Sequence, residues 1–183
     1  MVVDLGFQET TYQGQASVKH QCYIRWELPH ERLDWTDKEG QQHSGPMVIG
    51  KTYTLSLSEK ANLRKDLQAW RGKAFTEQEL DGFDLFKLLS VGCQVTIVHA
   101  IKEGKTYANI ANVAGWPKGM PKVGTTENAI IRYSDDERLQ FNELPQWVKD
   151  KLAKAVQPNG DVPPVTSPDD YGAHGDLDDE IPF

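Results

Sequence analysis

The chain alternates early. Between residues 16 and 28, Val18, Cys22, Ile24, Trp26 and Leu28 fall on one side of an extended backbone, and Lys19, Gln21, Tyr23, Arg25 and Glu27 on the other. Period two over such a run predicts a strand with one face buried. Residues 47–57, rich in Val, Ile, Tyr and Thr, predict a second strand, with Lys51 and Tyr53 on the face of Ile49 and Leu55. The period then changes. Leu63, Leu67 and Trp70 recur at i, i+4 and i+7, which predicts a helix from about residue 59 to 71, capped by Ser58 and ended by Gly72. Thr76 and Glu79 have the spacing of a capping box for a short helix, and Asp84 caps another turn through Phe86, Leu88 and Leu89. Residues 93–101 and 106–113 predict a hairpin closed at 102–105, where Gly104 is free to take a positive φ. Residues 128–133 predict a closing strand. Pro145 opens a last helix whose apolar face is Trp147, Val148, Leu152 and Val156.

Two stretches lack a period. Residues 1–15 predict an irregular or weakly paired arm. Residues 29–46 are broken by Pro29, Asp34, Asp37, Gly40, Gly45 and Pro46 and predict a loop. Trp35 lies in that loop with Leu33 as its apolar neighbour, and either stacks on a base or lids the core. From residue 157 on, Pro, Gly and Asp dominate and little can be buried, so residues 157–183 predict a disordered tail behind a domain of residues 1–156. The order of elements predicts a mainly β body with helical insertions. It can be laid on the OB-fold, a five-stranded Greek-key barrel with a helix between its third and fourth strands, if residues 1–15 or 38–46 supply a missing strand. A small α+β sandwich is the competing arrangement.

Composition narrows the chemistry. The 183 residues suffice for one domain with an appendage, at 38% hydrophobic content and a mean hydropathy of −0.58. There is no long apolar run and no basic-then-apolar start, so neither a membrane span nor a secretion signal is expected, and a cytoplasmic location is. Cys22 and Cys93 lie far apart in apolar runs and are expected to be small buried hydrophobes. His20, His30, His43, His99 and His174 are scattered without ligand spacing, so neither a metal nor a cofactor is expected. No Gly-x-Ser-x-Gly and no phosphate loop is present. A metal-dependent nuclease is the enzymatic alternative. Its best acids, Asp135-Asp136-Glu137, suit a polar turn better than a two-metal site. The expectation is a binding protein without a catalytic residue.

The net charge of −7 at first argues against a nucleic-acid ligand. Its distribution removes the objection. Seven of the 27 acids (Asp161, Asp169, Asp170, Asp176, Asp178, Asp179 and Glu180) follow residue 156, with no Lys or Arg among them. Residues 1–156 therefore hold 20 acids against 20 bases. A neutral body can carry a basic surface if its charges are sorted. The tail ends Asp176-Leu-Asp178-Asp179-Glu180-Ile181-Pro182-Phe183, four carboxylates before an apolar tip. Anions would steer such a peptide to a basic surface, the ring would fill a pocket, and the terminal carboxylate could pair with Arg or Lys.

That ending resembles the C-terminal tip of bacterial single-stranded-DNA-binding proteins, in which an acidic stretch runs into Ile-Pro-Phe. Within the body, Leu63-Arg-Lys-Asp-Leu-Gln-Ala-Trp-Arg-Gly72, Phe75-Thr76, Gly82-Phe83-Asp84-Leu85 and Gly104-Lys-Thr-Tyr-Ala-Asn-Ile110 resemble a family of phage and prophage single-stranded-DNA-binding proteins. The body lacks the N-terminal strand pattern of the cellular bacterial proteins, so their tetramer is not implied, and whether the chain forms a homo-oligomer stays open. The resemblance implies an OB-fold that coats single-stranded DNA during replication, recombination or repair, and a tip (Asp176, Asp178, Asp179, Glu180, Ile181, Pro182, Phe183) that recruits host replication and repair proteins. Cations would track phosphates and rings would stack on bases. The candidate contacts are Lys19, Tyr23 and Arg25 on the first strand's outer face, Lys102, Lys105 and Tyr107 at the hairpin, and Trp116, Lys118 and Lys122 in the loop after it. Arg64, Lys65 and Arg71 rank behind them, because the OB-fold's helix plugs the bottom of the barrel. The alternative is an adaptor that uses the same tip to sequester host repair enzymes without touching DNA.

Overall fold

The computed structural model describes residues 1–121, 124–138 and 140–156. Its architecture is mainly β. Strands β1 (Val2–Tyr12), β2 (Gln15–Thr36) and β3 (Gln42–Thr54) form an antiparallel meander. Strand β6 (Arg132–Tyr133) adds to the free edge of β1 in parallel, giving the order β3-β2-β1-β6. Strands β4 (Cys93–Lys102) and β5 (Lys105–Gly115) form a separate hairpin. Among the described residues the two sheets are not closed into a barrel.

The N-terminal stretch expected to be irregular is a full strand. Val2, Val3 and Leu5 are buried, and Leu5 sits in a bulge between Asp4 and Gly6, with Gly6 at φ 69°. The bulge interrupts the alternation that would have revealed the strand. Residues 29–46 are also corrected. They extend β2 and β3 into a projecting two-stranded arm, offset by extra residues between Leu28 and Arg32. Pairing overrides the turn-forming composition there. The Asp37 side chain accepts from Glu39 and Gln41 N–H and so supplies the turn.

Helix α1 (Asn62–Arg71) buries Leu63, Leu67 and Trp70, the stripe its sequence spacing predicts, and Gly72 closes it at φ 69°. Its N-cap is Ala61 rather than Ser58. Thr76 and Glu79 close the capping box of α2 (Glu77–Leu80), and Asp84 caps a 3-10 turn at Leu85–Leu88. A second 3-10 turn, Phe141–Glu143, precedes α3 (Gln146–Ala153), with Pro145 as N-cap.

The meander is buried on both faces. On the front, Cys22, Ile24, Trp26, Ile49 and Tyr53 pack with Leu63, Leu67 and Trp70 of α1 and with Ile110 and Val113 of the hairpin. On the back, Val3, Leu5 and Tyr23 pack with Tyr133, Leu144 and Val148. The polar-looking side of β2 is thus a second core interface, covered by α3. Burial pushes the Cys22 thiol well up and that of Cys93 up to about 12, as expected of structural cysteines. Among the described residues no helix is long and apolar enough to cross a membrane.

Candidate nucleic-acid interface

The nine expected contacts fall in three places. The first group lies on the back of the meander and does not form an open surface. Tyr23 is only 2% exposed. Its ring meets Trp147 of α3 edge-on at 4.7 Å and covers Gly50, where a Cβ would come within 1.8 Å of the Tyr23 hydroxyl. The expectation that Tyr23 faces outward is therefore wrong. A ring alternating with Lys19 and Arg25 looks like a binding face only while α3 is left out of account. Lys19 is half-buried opposite Gln8, whose amide donates to the Lys151 carbonyl of α3 (3.2 Å). Arg25 is half-buried too, and its carbonyl accepts from the Met1 amine (3.0 Å). Beside it, Glu27 accepts from the N–H of Glu127 and of Asn128. Burial works against its charge, but these hydrogen bonds win and hold the carboxyl below its ordinary range.

The second group meets at one end of the β4–β5 hairpin. Lys102 pairs with Lys105 across the turn, and Ala100 pairs with Tyr107 two residues further on, so Lys102, Lys105 and Tyr107 lie on one face. Glu103 and Gly104 form the turn at φ 51° and 77°. Both lysines are exposed. The third group follows the opposite end of β5. Trp116 is half-buried and donates through Nε1 to the Pro121 carbonyl (3.1 Å), and Lys118 is exposed. Lys122 and the tip residues Asp176 to Phe183 lie outside the described residues.

Among the described residues, six of the body's cations are spent on ion pairs within the fold. Lys51 meets Asp66 at 3.0 Å, Arg32 meets Glu127 at 2.6 Å, and Arg138 meets Asp135 at 2.7 Å. Arg71 is bound to Glu79 and lies 4.2 Å from the centre of the Phe75 ring, and Arg132 is bound to Glu137. Arg64 donates to the Leu57 carbonyl at 3.0 Å. Among the described residues, Lys102, Lys105 and Lys118 form no ion pair. Of the helix cations ranked lower, Arg64 and Arg71 are thus committed within the fold, while Lys65 is exposed. Asp135 and Glu137 are likewise tied to arginines, and among the described residues no group of three His, Cys, Asp or Glu is placed to hold a metal ion.

Trp35 lies on the arm, 48% exposed, and does not lid the core. Its ring stacks on His43 (centroids 5.5 Å apart) above Gly45, where a Cβ would stand 3.2 Å from the indole. The arm carries four acids (Glu31, Asp34, Asp37 and Glu39) against Arg32 and Lys38. His43 and the backbone N–H groups of the turn hold the Asp37 carboxyl below its ordinary range. The arm is therefore a poor path for phosphates despite its exposed ring.

No family model, curated protein or solved structure matches this chain.

Proposed function

We propose that this protein binds single-stranded DNA without sequence preference, and that its acidic, Phe-ended segment recruits host replication and repair proteins. The observation that carries the reading is the segregation of charge. All the excess acid lies beyond residue 156, and the neutral remainder presents ion-pair-free lysines beside Tyr107 on one hairpin. In this reading the meander, α1 and the β4–β5 hairpin follow the order of an OB-fold whose two sheets have not joined. Binding is association without chemistry. Lysines displace counterions from phosphates, and each ring stacked on a base contributes about 1–3 kcal/mol. The protein would act in the cytoplasm of a bacterial host, in replication, recombination or repair.

The acidic Trp35 arm favours a second reading, an adaptor that binds host repair enzymes through the same tip and leaves DNA alone. Fluorescence titration with oligo-dT at two salt concentrations separates the two. Micromolar or tighter binding that weakens steeply with salt is expected. No salt-sensitive binding in that range would remove the DNA reading in favour of the adaptor.

A further inference from the structure

Away from its turn, the β4–β5 hairpin has one face on the core and one in solvent; at the turn end both faces are wet, with Ile101 79% exposed. Val95, Ile97, Ile110 and Val113 turn inward. Ile110 and Val113 are three residues apart and could not share a face in an unbroken strand. A bulge solves this. Ile97 pairs with Ile110 and Thr96 with Asn112, so Ala111 is the extra residue and the alternation restarts after it. The inward register is set by burial: Val113 is 0% exposed, and a Cβ on Gly115 would press to 2.8 Å from the Trp70 carbonyl of α1.

The same bulge fixes what faces out. On β4 the outward positions are Gln94, Thr96, Val98, Ala100 and Lys102; on β5 they are Lys105, Tyr107, Asn109, Asn112 and Ala114. Among the described residues of the hairpin, none of these ten positions is acidic, in a body where acids equal bases. Trp116 comes next in the restarted alternation, just past the end of β5, with Lys118 beyond it. The two separate groups of candidate contacts are thus the two ends of one face. The nine residue steps from Lys102 to Cys93 make it about 30 Å long at ~3.3 Å per residue. That length holds roughly nine nucleotides at the ~3.4 Å spacing of a stacked strand, and about half as many when extended.

We infer that this outward face is the track along which the single strand lies, a refinement that rests on the DNA-binding reading. Lys102 and Lys105 hold phosphates at one end and Lys118 at the other. Tyr107 and Trp116 offer ring faces near the ends. Gln94, Asn109 and Asn112 supply amides that can donate to phosphate or base without regard to sequence, and Val98 and Ala100 leave a flat apolar floor between them.

The test adds charge to the Trp116 end of the track at constant shape. Gln94→Glu/Asn112→Asp, both exposed, changes the charge by two. Lys154→Glu, at the end of α3 on the opposite side of the meander, makes the same change elsewhere. Each full-length variant is titrated with fluorescent oligo-dT at low salt after its melting curve has been compared with wild type. Lys102→Gln/Lys105→Gln, at the turn end of the two strands, serves as a second track variant. Both track variants are expected to bind at least tenfold more weakly, and Lys154→Glu within threefold of wild type. Wild-type binding with both track variants within threefold of it overturns the track and leaves the DNA reading standing, as does an equal loss in Lys154→Glu. A wild-type chain without salt-sensitive binding overturns both.

Discussion

Tyr23 and Tyr107 show how the same side chain takes opposite roles at the residue scale. Both alternate with cations in sequence. Only Tyr23 has a helix above it and a glycine beneath it. Truncating a buried aromatic removes its transfer energy and leaves a cavity, so Tyr23→Ala is expected to cost about 3–5 kcal/mol in urea unfolding. Gly50→Ala attacks the same contact from below. With the new Cβ only 1.8 Å from the Tyr23 hydroxyl, the ring must leave its place against Trp147. The expected loss is about 3 kcal/mol or more, at the upper end of overpacking. A Gly50→Ala protein that unfolds within 1 kcal/mol of wild type would mean the ring has an alternative seat. Tyr107→Ala, by contrast, is expected to leave the urea midpoint in place and weaken oligo-dT binding by about 1–3 kcal/mol, the worth of one stack.

At the scale of elements, the capping box of α2 gives a pH prediction. Hydrogen bonds from Thr76 first, then from Arg71 and Lys73, bring the Glu79 carboxyl from its ordinary value of 4.5 down to about 2. Its folded pKa is depressed, so its contribution to stability is present above the unfolded value and is lost as pH falls through the folded one. Glu79→Gln should therefore lower the melting temperature at pH 7, and the gap to wild type should close between about pH 4.5 and pH 2. A constant gap would assign the loss to packing instead. Elements with their own local signal, such as this box, the Leu63/Leu67/Trp70 stripe and the Gly104 turn, were legible in the sequence, because each is decided within a few residues. Strand β1 and the arm were not. A bulge hides the period of one, and cross-strand pairing overrides the loop composition of the other. The candidate site divided the same way. The common face of the hairpin lysines and Tyr107 was legible because a two-residue turn fixes it. Tyr23 was misassigned because only α3, more than a hundred residues later, decides which side of β2 is wet. The track's amides carry no sequence signal of their own until the bulge at Ala111 gives them a common face. Deleting Ala111 should turn either Ile110 or Val113 to solvent, and so lower stability and abolish oligo-dT binding together.

At the scale of the whole molecule, we propose from the division of charge that residues 157–183 compete with DNA for the lysines of the body. Residues 157–183 begin just after Val156, which bridges to Phe7 on β1. Their 27 residues can span at most about 90 Å, enough to reach any face of the body. In that proposal, tethering would hold seven acids at a raised local concentration around the same lysines that DNA would use. Removing residues 176–183 takes away four of those acids and should tighten oligo-dT binding several-fold at low salt. Because the competition is electrostatic, the gain should fade as salt shortens the Debye length from ~30 Å at 0.01 M to ~8 Å at 0.15 M. Equal affinity with and without the segment at low salt would rule the competition out. Phe183→Ala isolates the other function. It leaves every acid in place, so DNA affinity and its salt slope should not change, while pull-down of host replication and repair proteins by the full-length chain should be lost. Loss of both activities in that variant would mean that body and tail do not have separate jobs.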